Sequence, residues 1–126
     1  MKKTGLIHVV DDNADIRKML VLVLQSHGHA VRVYDSGTAY LNAEPSQGPQ
    51  VMLLDVRMPG MTGLELHARM KAIGQDMPVI FMSGDSQPHE TEAARQLGAV
   101  HFLWKPFSTQ KMLAVIDKFL SEAAAR

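Results

Sequence analysis

Asp11-Asp12, Asp55, Ser83-Gly84-Asp85 and Lys105-Pro106 each stand directly behind a short apolar run. In open α/β sheets, ligands bind beyond the carboxyl ends of the strands. If these runs lie side by side as strands, three carboxylates (Asp11, Asp12, Asp55), the Ser83 hydroxyl and the Lys105 ammonium meet on one rim. Three carboxylates held ionised at close quarters repel one another, so the group calls for a cation. All-oxygen ligands suit a hard ion, and few protein ligands with room for water and phosphate suit Mg²⁺. Such an ion would offset the charge of an incoming phosphoryl group. A carboxylate at a strand end can then act as nucleophile and form an acyl phosphate. Lys105 could pair with one phosphoryl oxygen and Ser83 donate to another, while Gly84 leaves the approach open.

Each of these residues also has an ordinary reading. An Asp after a strand commonly forms a turn or caps the next helix, a role open here to Asp12 or Asn13. Ser83-Gly84 alone is a turn, and Lys105 before a proline is a solvated loop residue. Taken singly, the ordinary readings win for all but the Asp11-Asp12 pair. Taken together, polar residues at four separate strand ends are hard to assign to turns alone. The histidines (His8, His27, His29, His67, His89, His101) have no metal-ligand spacing and no nucleophile beside them, so no role is assigned to them.

The apolar runs that must position this chemistry are Leu6–Val10, Ala30–Tyr34, Val51–Leu54, Val79–Met82 and Val100–Leu103. Continuous runs of this length, rich in Val and Ile, read as parallel strands buried on both faces. Amphipathic stretches between them predict helices over 14–27, 36–44, 63–73, 87–97 and 108–123. Gly28, Gly74 and Gly98 stand where helices should end, and Ser108 is placed to cap the last one. Strand–helix alternation repeated five times predicts a doubly wound α/β domain with right-handed crossovers. The 126 residues suit a single domain, 1–126.

Charge is balanced, with 13 Lys plus Arg against 13 Asp plus Glu, which gives no case for a grip on nucleic acid. The absence of cysteine excludes disulfides and thiolate metal sites and accords with a cytoplasmic location. The longest unbroken apolar run, Met19–Leu24, is far too short to span a bilayer. Leu6–Val10 is too short, and too soon followed by Asp11-Asp12, for a signal peptide.

Four stretches resemble the receiver domains of bacterial two-component response regulators: Val9-Val10-Asp11-Asp12, the run from Leu53 to Gly63, Met82-Ser83-Gly84, and the run from Phe102 to Phe107. They follow the family's order over essentially the whole chain. The resemblance implies a flavodoxin-like five-stranded parallel sheet in the order 2-1-3-4-5. It implies that Asp55 accepts a phosphoryl group from a histidine kinase or histidine phosphotransfer protein. Asp11, Asp12, Asp55 and the main-chain carbonyl of Arg57 would hold Mg²⁺, and Ser83 and Lys105 would bind the phosphoryl group. Phe102 would be the aromatic that turns inward as Ser83 moves, and the Lys105-Pro106 bond would be cis. Such a domain phosphorylates and dephosphorylates itself and is not a turnover enzyme. The Met58–Gly63 run and the choice of Phe102 resemble receivers that precede a helix-turn-helix transcription module.

The departures from the family pattern are small. Ser83 stands for the commoner Thr, and Phe102 for the commoner Tyr, which leaves a switch that works by packing alone. Arg57 and Asp85 are expected to pair across the pocket mouth. A metal-dependent phosphatase with an Asp nucleophile is a rival, but Arg57 stands where its second carboxylate is needed. A nucleotide- or flavin-binding domain would need a glycine-rich loop after the first strand. A static interaction module of the same fold leaves the acidic site without a purpose. Ile16 and Met19, one helical turn apart beside Asp12, are candidates for kinase docking. Phe102 and Trp104 share a strand side. With the helix over 87–97 and the last helix, they are expected to form an output surface that pairs two copies on phosphorylation.

Overall fold

The structure, a computed structural model, describes residues 4–84, 101–105 and 108–124. In chain order it consists of β1 (Leu6–Val10), α1 (Ala14–Ser26), β2 (Ala30–Tyr34), α2 (Gly37–Asn42), β3 (Gln50–Asp55), α3 (Gly63–Ala72), β4 (Val79–Ser83), β5 (His101–Trp104) and α4 (Thr109–Ala124). The helix expected over 87–97, Asp85, Gly98 and the Lys105-Pro106 bond lie outside the described residues. The strands form one parallel sheet in the order β2-β1-β3-β4-β5. This is the expected order, with β3 one residue longer at each end, β4 ending one residue later, and β5 at His101–Trp104 where Val100–Leu103 was expected.

Side-chain alternation along each strand divides the core in two. Ile7, Val9, Val51, Leu53, Ile80, Met82 and Leu103 face α1 and α4, against Leu20, Leu24, Met112, Ile116 and Leu120. Val10, Met52, Leu54 and Phe81 face the other way, against Tyr40 of α2 and Leu66 and Met70 of α3. Burying one such Leu, Ile or Phe contributes roughly 1.5–3 kcal/mol, so this double layer holds the strand ends firmly in register.

β2 corrects the reading of all five runs as strands buried on both faces. Among the described residues it pairs only with β1, and Ala30, Arg32 and Val33 are exposed. It lies at the edge of the sheet, where a β-branched run is compatible with half-burial. Exposure on α1 follows from its unbroken apolar stretch. Leu20 and Leu24 are buried, whereas Leu22 is 72% and Met19 42% exposed.

The helices begin where side chains satisfy their free N–H groups. The Asn13 side chain accepts from the Asp15 and Ile16 N–H groups, so Asn13, not Asp12, caps α1. Thr62 and Glu65 form a reciprocal capping box at α3, and Ser108 accepts from the Lys111 N–H at α4. Gly28 and Gly74, just past α1 and α3, adopt φ of 87° and 79°, the left-handed turn that ends a helix most cheaply at glycine. Among the described residues no helix is long and apolar enough to cross a membrane.

Candidate functional site

The register brings the strand ends level. Val10 lies beside Leu54, Asp55 beside Met82 and Ser83 beside Trp104. Asp11, Asp55 and Lys105, which come next or stand last, therefore meet at one edge. Asp11 and Asp55 are buried and Asp12 is exposed. One carboxylate oxygen from each of Asp11, Asp12 and Asp55 lies within 4.8 Å of the other two. Lys105 Nζ donates to Asp11 Oδ2 at 3.2 Å and to Asp55 Oδ1 at 3.5 Å.

Asp11 is held at every polar atom. Its N–H donates to the Tyr34 carbonyl at 3.1 Å. Its Oδ1 accepts from the Asn13 N–H at 2.9 Å, and its carbonyl from Arg17 Nη1 at 2.7 Å. Asp55 is fixed through the residue that follows it. The Val56 N–H donates to the Met82 carbonyl at 3.0 Å, and the Gly63 N–H returns to the Val56 carbonyl at 2.9 Å. This closes the 56–62 loop so tightly that a Cβ at Gly63 would run into the main-chain carbonyl of Asp55. Glycine is required here by close approach, not by φ.

Burial, and next the charge of Asp11, push the Asp55 carboxyl up to about 6, while the Lys105 ammonium beside it opposes the rise. Ser83 Oγ is buried and has no hydrogen-bond partner among the described residues. Leaving such a hydroxyl unpaired costs about 1–3 kcal/mol, so it stands ready for an acceptor. Lys105 is tied to the same residue, its N–H donating to the Ser83 carbonyl at 2.7 Å.

The other residues singled out from sequence lie around this centre. Arg57 is exposed on the loop behind Asp55. Phe102 is half-buried, stacks on Phe81 at 6.0 Å and meets Trp104 at 4.7 Å between ring centres. Trp104 is 49% exposed. Ile16 packs partly buried against the core, and Met19 stands outside it. Sequence reasoning did not find Arg17. Its partner is a main-chain oxygen, which no residue pattern reveals. Nor did it find the buried His8, whose ring lies between Tyr34 Oη at 3.1 Å and Gln50 Oε1 at 2.7 Å. Burial holds that imidazole below its ordinary range, as suits a neutral core residue.

Residues 7–117 match the family model described as the response regulator receiver domain. The transcriptional regulatory protein FixJ of Bradyrhizobium diazoefficiens is 38% identical over 123 residues, which is 98% of this chain and 60% of FixJ. The DNA-binding transcriptional regulator NtrC of Escherichia coli K12 is 36% identical over 117 residues, covering 93% of this chain and 25% of NtrC. The chain thus spans less than two thirds of FixJ and a quarter of NtrC. The solved structure of the response regulator StyR superposes with a TM-score of 0.87 at 35% identity, covering all of this chain and 63% of that one. With the sheet order and the match to the family model in agreement, the chain belongs to the response regulator receiver domain family.

Proposed function

We propose that Asp55 accepts a phosphoryl group from a histidine kinase or histidine phosphotransfer protein, in a reaction supported by Mg²⁺. The observation that carries this reading is the convergence of Asp11, Asp12 and Asp55 within 4.8 Å, with Lys105 reaching two of them. The donor set fits the ion: three carboxylates are hard oxygen ligands, and the exposed Asp12 leaves room for water. Asp11, Asp12 and Asp55 would hold it, joined by the Arg57 carbonyl. Bound there, Mg²⁺ supplies positive charge to carboxylate and phosphoryl oxygens alike.

The chain's own groups divide the remaining work. Asp55 offers a carboxylate oxygen to phosphorus. The new O–P bond forms as the P–N bond to the donor imidazole breaks, and that nitrogen keeps the electron pair. Lys105 leaves its carboxylate partners for a phosphoryl oxygen, and the Ser83 hydroxyl donates to another. The half-buried Phe102 follows Ser83, and Trp104 moves with it. Ile16 and Met19 are assigned to docking the phosphodonor. The exposed Trp104 is assigned to a face on which phosphorylated copies pair, since exposed aromatics serve as interface anchors. Residues 1–126 are read as one receiver domain.

The test is incubation with acetyl phosphate or phosphoramidate and Mg²⁺, followed by mass mapping of the alkali-labile adduct. A single adduct on Asp55, lost with chelator and in Asp55→Asn, is expected. Undiminished uptake in Asp55→Asn would refute the assignment.

A further inference from the structure

Among the contacts that hold Asp11, one comes from outside the carboxylate–lysine group. Arg17 Nη1 donates to the main-chain carbonyl of Asp11 at 2.7 Å. Asp11 is fully buried, and a buried carbonyl needs a partner. Arg17 reaches it because α1 starts immediately after Asp12. The Asn13 carbonyl accepts the Arg17 N–H at 3.1 Å, which places Arg17 one turn into the helix. The same Asn13 caps α1 through its side chain and holds Asp11 Oδ1 through its N–H. The start of α1 thus holds the Asp11–Asp12 peptide on two sides. The guanidinium acts as a donor, an always protonated N–H that a buried carbonyl can rely on.

We infer that Arg17 is a positioning residue for the cation site, setting through the Asp11 carbonyl the direction in which Asp11 and Asp12 present their carboxylates. The inference rests on the reading of Asp11, Asp12 and Asp55 as that site. Of the two contacts to the Asp11 carboxylate, that from Lys105 would be surrendered to a cation and that from the Asn13 N–H would persist, as would the bond from Arg17 to the carbonyl. Arg17 therefore preorganises the ligands and does not compete for them. Groups that orient metal ligands from behind typically contribute tenfold to a hundredfold in affinity.

Calorimetric titration of the chain with Mg²⁺ tests this, comparing wild type with Arg17→Met and Arg17→Lys after melting curves have established that each is folded. Phosphoryl uptake from phosphoramidate at saturating Mg²⁺ is the second readout. Arg17→Met should bind Mg²⁺ about tenfold or more weakly, Arg17→Lys should recover most of that loss, and uptake at saturation should stay near wild type in both. A residue needed only for folding would change the amount of competent protein but not the Kd of the folded fraction. If Arg17→Met does not fold, Arg17→Gln takes its place with the same expectations. An unchanged Kd in the truncated variant, or equal losses with and without the lysine, overturns the inference and leaves the cation site standing. Absence of Mg²⁺ binding by the wild type overturns both.

Discussion

Replacing Asp55 by Asn should make the metal-free protein more stable at neutral pH. Burial and the neighbouring Asp11 lift the Asp55 carboxyl from 3.8 to about 6. The folded state therefore holds this proton more tightly than the unfolded chain does. The resulting stabilisation is fully present below about pH 4 and is lost as pH rises through about 6. Above that point the ionised carboxylate is a burden on the fold. The gap between the two values, at about 1.36 kcal/mol per pH unit, bounds that burden at about 3 kcal/mol. Asp55 is only 6% exposed, so solvent screening removes little of it. Asparagine forgoes the charged Lys105 contact at 3.5 Å, which takes part of the gain back. A net gain of about 1–3 kcal/mol is expected at about pH 7.5, or roughly 3–10 °C in Tm for a domain of this size. The assay is thermal or urea unfolding of both proteins in chelator, at about pH 4 and about pH 7.5. The difference should nearly vanish at the lower pH. Added Mg²⁺ should narrow it at the higher pH, because binding to the native state stabilises wild type by mass action. Asp55→Asn no more stable than wild type at neutral pH, or equally favoured at both, would refute the reasoning.

Lys105→Met should act in opposite directions on two quantities. Metal-free stability should fall by about 1–2 kcal/mol, since Asp11 and Asp55 lose the ammonium between them. Mg²⁺ should bind more tightly, since nothing then competes for Asp11 Oδ2, and unfolding curves and calorimetry on the same preparation measure both. Trp104 should report the site, because it precedes Lys105 in the chain and contacts Phe102 at 4.7 Å. Its emission should change little with Mg²⁺ alone and saturably with a beryllofluoride phosphoryl mimic, and the mimic response should disappear in Asp55→Asn.

What the sequence made legible was set by how local the determinant is. The strands carrying Asp11, Asp55 and Ser83 are runs buried on both faces, and a polar residue ending such a run marks a sheet rim without further information. The strand order came from family resemblance, and the structure bears it out. β2 was misjudged because Ala30-Val31-Arg32-Val33-Tyr34 has the β-branched content of an interior strand. Only Arg32 signalled the edge, where its guanidinium reaches Ser46 Oγ at 2.7 Å. At α1 the sequence left Asp12 and Asn13 open as caps, and side-chain reach decided for Asn13. Arg17 was illegible because a bond to a main-chain oxygen leaves no pattern of residue types. His8 was illegible because its partners, Tyr34 and Gln50, come from two other strands.

On the proposed reading, the geometry orders the events at the rim. The Lys105 ammonium lies between Asp11 and Asp55, and turning a donor toward a phosphoryl group means loosening these contacts. Three carboxylates near one ammonium leave a net negative pocket that repels a phosphodonor. A cation of higher charge that took over the carboxylates would free Lys105, so metal binding should precede phosphoryl transfer. Once released, Lys105 remains tied to Ser83 through its N–H at 2.7 Å. The ammonium and the Ser83 hydroxyl then approach a phosphoryl group as one piece. Their movement is passed on by β5, where Trp104 lies beside Ser83 in register and Phe102 beside Phe81. Chemistry at Asp55 and the exposed aromatic surface are thus joined by a path one strand wide, and loosening the pairing of β4 with β5 should uncouple uptake from response.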